Sequence, residues 1–596
     1  MHRLNSWLDA DERRPLGLAL LALMGLCLLA FFNHLGTLGL MDKTEGLFAE
    51  VPHQMLRSGD WVTPRWNGDT FFDYPVWGYW MVGLSFRLWG VSAWAARLPA
   101  AMAATATVLG LFAVLLLLAP AQEPWRPRIG RATLCATVLA LSPGWVGWAR
   151  SSVTDMFLSS AIALALFGFA LAHGAGERLW LRRLGHGALA LFAGIAVLAK
   201  GPVGLLLPGL VIVVFLLLKG QLLGELRRTP WLPISALFVG VAAPWYALAT
   251  RANGTKFLAR FIGFSNLERF TSVLYAHPGP PWFYLPWVLL LLLPWSLFLP
   301  VAIARLQLWP LARWRVPPSP ADLPLLAFVW LVLVVGFFST AATKLPGYIL
   351  PALPAGALLV GLLFQPLPPP ADQPCQPLAS EPLGAGVRVS GWINALVLAV
   401  MALAAAVAPR FLGADPAYPR FAEAVRSSGL PLLLALPLLA AALSLAALLL
   451  LKPTGLSWLW MPNGAAFVAV LALVVPALAP LLDRERQLPI RQLATLAGRQ
   501  ALPREPLLVA GYKRYSVVFY SGRPVLFVDN PRHALEALHG PKAPQPSPPT
   551  LLLMGSDSEF LDFGLGPGDG KLIARRDAHQ LLRVPIDRLR QLAAGP

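Results

Sequence analysis

Long apolar stretches separated by short polar connections run along most of the chain. Leu98–Ala119, Leu205–Leu218 and Leu430–Leu451 contain no charged residue. Each approaches or reaches the length of a helix that crosses a bilayer. Apolar runs of roughly 17–25 residues predict about 13 spanning helices, centred near residues 25, 108, 138, 163, 192, 210, 241, 293, 331, 357, 399, 440 and 472. The fifth and sixth are nearly continuous, interrupted only by Lys200, Gly201 and Pro202. That interruption is either a tight re-entry at one membrane face or a kink in one long helix. The run Pro15–Phe32 is long enough to remain a helix, and Asp9, Asp11 and Glu12 interrupt the basic residues before it, so no cleavable signal is expected.

The pattern changes at about Asp483. Leu507–Ala510, Ser516–Tyr520, Val525–Val528 and Thr550–Met554 predict short strands, with a turn at Ser521-Gly522-Arg523-Pro524 and a proline-rich loop over Pro544–Pro549. The expectation is a membrane domain over residues 1–482, including an outer loop over 36–97, and an α/β domain over 483–596. A tail of about 110 residues lies in the usual range for a domain. No internal repeat is evident.

Composition agrees. Of 596 residues, 57% are hydrophobic and 13% charged, with mean hydropathy +0.61; a soluble protein is about a quarter charged. The net charge of +18 invites a nucleic-acid reading, but the basic residues sit in short clusters between apolar runs, so no nucleic-acid partner is expected. Arg126, Arg128 and Arg131 share one connection; Arg178, Arg182 and Arg183, then Lys219, Arg227 and Arg228, then Arg305, Arg313 and Arg315 follow in alternation. The positive-inside rule places these clusters and the amino terminus in the cytoplasm, and the loop 36–97, the segment 251–281 and the tail outside. Cys27, Cys135 and Cys375 are scattered, which excludes a disulfide framework and a zinc signature.

Chemistry concentrates in the outer segments. Met41-Asp42-Lys43-Thr44-Glu45-Gly46-Leu47-Phe48-Ala49-Glu50 follows the first spanning run. Carboxylates at a membrane face are costly, so Asp42, Glu45 and Glu50 are candidates for a general base or a metal ligand; a solvated acid cluster at a helix start is the alternative. The aromatic stretch Phe71–Trp80 predicts interfacial elements. Asp155 opens the fourth spanning helix, where it could be reactive or simply cap the helix, and Arg150 is its expected ionic partner. Lys200 at the helix break could hold a lipid phosphate or snorkel to the interface. Glu268, Arg269 and His277 lie in another outer segment, and His277 reads as a solvated loop histidine, a phosphate ligand or an acid.

Several of these segments resemble the bacterial glycosyltransferases of the aminoarabinose transferase and protein O-mannosyltransferase superfamily. Glu45, Phe48, Ala49 and Glu50 match a family start of the form Asp-Glu-x-Arg-[Tyr/Phe]-Ala-Glu; Met55, Ser58-Gly59-Asp60-Trp61, Pro75 and Gly78-Tyr79-Trp80 match the segment that follows. Asp155, the step Ala199-Lys200-Gly201-Pro202 and Lys344-Leu345-Pro346-Gly347-Tyr348-Ile349-Leu350-Pro351 match later motifs, the last most specifically. Two positions depart: Thr44 stands where the family has its catalytic Asp, and Tyr74 where it has a phosphate-binding Lys.

The resemblance implies the GT-C fold, a polytopic α-helical membrane protein with a small periplasmic C-terminal α/β domain, in the bacterial inner membrane. It implies a sugar donor on a polyprenyl phosphate, a lipid, glycan or protein acceptor, and transfer with inversion. Glu45, Asp42 or Asp155 would take the acceptor's proton, and Lys200, Arg269 and Lys344 would bind the donor phosphate. Glu50, Arg150, Glu268, His277 and Tyr348 would contact substrate; a divalent metal is left open. A lipid or sugar transporter or flippase explains the helices and intramembrane charges equally well, though no paired halves are found. An inactive glycosyltransferase-like scaffold is the third reading, because of Thr44 and Tyr74.

Overall fold

The computed structural model describes residues 10–120, 122–261, 263, 278–319, 322–367, 384–413, 415, 418–451, 455–540, 549–566 and 568–594. Among them, ten helices are long and apolar enough to cross a membrane, and two bent pairs, Trp125–Ala140 with Pro143–Ala149 and Pro281–Leu291 with Trp295–Arg305, raise the number to twelve. The remaining apolar segment, Val203–Lys219, is a shorter helix. The thirteen apolar runs expected from the sequence therefore all fold as helices, but only ten are long and apolar enough to span alone. Thr154–His173 and Pro346–Phe364 are buried along nearly their whole length, whereas Trp231–Phe257 and Gly455–Gln500 turn most of their apolar surface outward. Outward apolar helices with all backbone bonds made internally are what a bilayer requires.

Nine helices position the features discussed below: α1 (Ala10–Cys27), α2 (Glu45–Ser58), α3 (Ala93–Leu118), α4 (Thr154–His173), α5 (Leu179–Lys200), α6 (Val203–Lys219), α7 (Trp460–Leu482), α8 (Leu488–Gln500) and α9 (Ser516–Ser521). The basic connections gather at one end of the bundle. Arg178 donates to Leu117 O, Arg131 to Pro366 O and to Glu123, and Lys219 to Val316 O and Asp322, while His173 Nε2 lies 3.4 Å from Asp322. The α/β domain and the segment from Leu35 to Glu45 occupy the other end, where Gly39 N donates to Asp483.

The break at Lys200-Gly201-Pro202 is a re-entry. Gly201 adopts φ +83° and ends α5, and α6 folds back along it. The two backbones touch at Gly204, where a Cβ would sit 2.3 Å from the Ala196 carbonyl carbon. Gly204→Ala should force the hairpin open and lower stability by about 1–3 kcal/mol, the usual result of overpacking. A melting temperature equal to wild type in detergent would contradict this packing.

The long helical run Gly455–Gln500 carries the chain out of the bundle into a five-stranded sheet of order β4-β3-β5-β7-β6. Its strands are β3 (Leu507–Ala510), β4 (Val525–Val528), β5 (Thr550–Ser556), β6 (Lys571–Arg576) and β7 (His579–Pro585); a two-stranded ribbon, β1 (Arg65–Trp66) with β2 (Asp69–Thr70), lies in the first outer loop. β3 runs parallel to β4 and β5, and β7 antiparallel to β5 and β6. Alternation along β3 sends Leu508 and Ala510 to a core with Leu538 and Leu589, and Leu507 and Val509 to a core with Ile490 and Leu493 of α8.

One strand expectation fails. Ser516–Ser521 is the helix α9, capped by Gly522 at φ +62°. A parallel β3–β4 pair cannot be closed by a hairpin and needs a crossover element between its strands. Burial of Val517 and Val518 against α8 then overrides their β preference. The sequence reading also omitted β6 and β7.

His579 on β7 is buried, and the Arg514 guanidinium lies 3.3 Å from its Nε2. Burial first, and the Arg514 charge second, push its pKa down to about 4. An unfolded histidine titrates near 6.5, so this contribution is complete above that pH and is lost as pH falls toward 4. It amounts to about 3 kcal/mol. Glu559, held low by Arg514 against burial, acts in the same direction. Thermal stability should fall as pH is lowered from about 6.5 to about 4, and His579→Gln should flatten the slope; equal slopes would contradict the assignment.

Candidate functional site

The floor of the site is a clamp on Glu45. This first residue of α2 is fully buried. Arg97 on α3 meets it with two hydrogen bonds, Nε to Oε1 at 2.8 Å and Nη2 to Oε2 at 2.6 Å. Met41 N and Ser152 N also donate to the carboxylate, at 3.0 and 2.9 Å. Arg97 donates further to Leu35 O, Leu38 O and Gly39 O. Burial alone would raise the Glu45 pKa, but the Arg97 charge and these hydrogen bonds outweigh it and hold the carboxyl below its ordinary value. The clamp ties the end of the first span, the start of α3 and the approach to α4 into one unit.

Asp42 points elsewhere. Its Oδ1 accepts from Ser516 N at 2.8 Å, and Gly46 lies so close to Ser516 that a Cβ would fall 2.6 Å from that nitrogen. The start of α2 is therefore the seat of the α/β domain. Burial raises the Asp42 pKa, against the opposing effect of Ser516 and Arg514.

Asp155 and Lys200 meet across the bundle. Asp155 lies in the first turn of α4, whose N-cap is Val153, so it does not cap the helix. Its carboxylate receives a hydrogen bond from Lys200 Nζ at the α5–α6 break. The expected partner was Arg150; instead Arg150 donates to Ala30 O and Asn33 O, because the chain turn after Ala149 aims it back at the end of the first span. The Lys200 ammonium also lies 4.9 Å from the Tyr348 ring centroid and 5.9 Å from that of Tyr74. Asp155 and Lys200 both keep part of their side chains exposed. A coupled acid and base at a helix break, walled by two phenol rings and reachable from outside, can hold an anion or move a proton.

Lys344 stands behind Tyr348. Its ammonium donates to Ser339 O and Ala341 O and lies 5.9 Å from the Tyr284 ring. Phe338 packs on both Tyr348 and Tyr284, so one aromatic patch separates the two lysines. Glu50 is buried, accepts from Gln54 Nε2 at 2.9 Å and lies 3.2 Å from His53 Nδ1. Glu268, Arg269 and His277 lie outside the described residues. Among the described residues no three His, Cys, Asp or Glu side chains converge on a metal position.

Sequence reasoning placed Asp155, Lys200 and Tyr348 in candidate motifs but did not pair them. It missed Arg97, whose signal was a lone guanidinium at the start of an apolar run.

The whole fold has known counterparts. A crystal structure of ArnT from Cupriavidus metallidurans bound to undecaprenyl phosphate superposes with a TM-score of 0.73 at 23% identity, over 95% of this chain and 97% of that one. Its apo form gives 0.71 at 21% identity, over 96% and 98%. The protein is thus a multi-pass membrane protein of the GT-C fold. Residues 73–247 match the family described as dolichyl-phosphate-mannose-protein mannosyltransferase, and residues 500–595 match the cyanobacterial RgtA-type glycosyltransferase C-terminal domain. An undecaprenyl phosphate-alpha-4-amino-4-deoxy-L-arabinose arabinosyl transferase of Pseudomonas paraeruginosa is 34% identical over 359 residues, 59% of this chain and 60% of that one. The one of Aeromonas salmonicida is 32% identical over 373 residues, 61% and 62%. The matched region spans about 60% of the length of these relatives.

Proposed function

We propose that the protein is a membrane glycosyltransferase that moves a sugar from a polyprenyl-phosphate donor to a lipid, glycan or protein acceptor. The observation that carries this reading is the Asp155–Lys200 pair between Tyr74 and Tyr348, which puts a base and a phosphate-seeking cation at one accessible point. The relatives' names, which give undecaprenyl phosphate as sugar carrier, support the donor class.

In the proposed reaction the acceptor oxygen attacks the anomeric carbon from the side opposite the phosphate. The carbon–oxygen bond to the phosphate breaks, its electron pair leaves on the lipid phosphate, and the anomeric centre inverts. Asp155 takes the acceptor's proton. Lys200 stabilises the charge growing on the leaving phosphate, with Lys344 and Arg269 as the other proposed cations. Because Lys200 rests on Asp155, an arriving phosphate competes for the ammonium and releases the carboxylate for proton transfer. Asp155 is the base we propose; Glu45, saturated by Arg97 and two backbone amides, positions the site, and Thr44 supplies no carboxylate. Asp42 serves the seat of the α/β domain.

We place the protein in a bacterial inner membrane with its amino terminus cytoplasmic, the boundary between membrane and tail domains near residue 482, and the tail periplasmic. The support is the gathering of basic connections at the end opposite the sheet domain. The test of function is mass spectrometry of envelope lipids and glycans from a deletion strain. Loss of one sugar, restored by the wild-type gene and not by Asp155→Asn, is expected. An unchanged inventory in the deletion, or rescue by Asp155→Asn, overturns the reading. A reporter fused after Pro596 that works only in the cytoplasm overturns the orientation.

A further inference from the structure

A second polar site lies where the α/β domain meets the membrane helices, in an open cavity of about 590 Å³. Its wall on the domain side comes from the loops that follow the carboxyl ends of β3 and β5. β3 is the central parallel strand: the chain passes from it to β4 on one side, then returns to β5 on the other. Loops leaving the two strands diverge at such a switch point and open a crevice, the place where open α/β sheets bind ligands. Tyr512 and Arg514 come from the loop after β3, Ser556 ends β5, and Ser558 lies in the short helix Asp557–Asp562 that follows it.

The crevice is preorganised. Glu559 Oε1 accepts from Tyr512 N at 3.1 Å and from Arg514 Nη1 at 3.0 Å, so it fixes the wall. Arg486, from the helix leaving α7, faces the wall and lies 4.5 Å from the Tyr418 ring centroid. Asp42 and Asp415 supply carboxylates on the membrane side.

We propose that this crevice binds a carbohydrate unit of the acceptor, a deepening that rests on the glycosyltransferase reading above. A sugar hydroxyl both donates and accepts. The crevice meets both needs within one small volume: Asp42 and Asp415 accept, Arg486 and Arg514 donate, and Ser558 does either. Tyr512 lines the cavity and is half exposed, with Lys43 Nζ 5.2 Å and Arg514 Cζ 5.9 Å from its ring centroid, and the exposed part of the ring can pack on a sugar ring. Three carboxylates and two guanidiniums nearly balance, which disfavours a simple phosphate. The crevice is also tied to the proposed reaction centre: Met41 in its lining donates to Glu45, Glu45 accepts from Ser152 N, and Asp155 follows in the next turn.

The test uses the full chain in lipid nanodiscs and saturation-transfer NMR with methyl glycosides of glucose, galactose, mannose and N-acetylglucosamine. At least one glycoside should receive saturation. Tyr512→Ala removes an exposed ring and Ser558→Trp fills the crevice; each should weaken binding by at least about tenfold, the worth of one good contact. Asp155→Asn should leave it unchanged. Absence of any glycoside signal, or equal signal in both crevice variants, overturns the proposal. Displacement of every glycoside by inorganic phosphate also overturns it, in favour of an anion site. Glycoside binding without sugar transfer by the wild type would sustain the crevice and remove the enzyme reading; transfer without glycoside binding would do the reverse.

Discussion

Asp155→Asn should lower turnover by about a hundred- to ten-thousandfold, the usual worth of a positioned general base, without weakening donor binding. The amide keeps the shape of the carboxylate and loses its charge and basicity. It also releases Lys200, whose hydrogen bond to Asp155 is its only ionic contact among the described residues. Polyprenyl phosphate should therefore bind the variant as tightly as wild type or more so. Lys200→Met reverses the pattern. It keeps the apolar stem between Tyr74 and Tyr348 and removes the charge, so donor affinity should fall by about ten- to a hundredfold, as for a lost charge-assisted hydrogen bond. The double variant should bind donor no worse than Lys200→Met alone, because the two groups act through one contact. Binding of polyprenyl phosphate to purified protein, measured beside steady-state transfer, separates these results. Loss of donor affinity in Asp155→Asn would mean that the pair serves structure and not chemistry.

The membrane architecture was legible because bilayer-spanning runs are a constraint on composition and length, and each apolar run of the sequence became a helix. Asp155 and Lys200 were legible singly, as charged residues at apolar run ends. Their pairing was not, because it depends on α5 packing antiparallel along α4, with Gly168 against Gly185 at one end, so that its last residue meets the first turn of α4. The same limit explains Arg150, which the sequence offered as the partner of Asp155 and the turn after Ala149 swung away. In the tail, the apolar stretch Ser516–Tyr520 is ambiguous by pattern; only the parallel pairing of β3 with β4, a non-local fact, makes it a helix. Glu45 was one of three carboxylates, with Asp42 and Asp155, that the sequence offered as the base. A lone Arg97 some fifty residues on is enough to change its role, and no local pattern connects them.

That change of role predicts a large effect on folding. Glu45→Gln should destabilise the protein by about 3–5 kcal/mol, because it leaves the Arg97 charge buried without a counter-charge. Arg97→Met should cost as much or more, since Leu35 O, Leu38 O and Gly39 O lose their donor along with the Glu45 carboxylate. Replacing both residues by Met removes both charges, so the double variant should be more stable than the sum of the single losses implies, although the three orphaned carbonyls and the Met41 and Ser152 amides keep it below wild type. The measurement is thermal unfolding in detergent for the four proteins. A general base behaves differently. Glu45→Gln would then fold with wild-type stability and lose only turnover, and the Met pair would show no coupling. Suppressing turnover without a fall in melting temperature would return Glu45 to the reaction. A fall in melting temperature, with residual turnover recovering at low temperature where the variant stays folded, would leave proton transfer to Asp155.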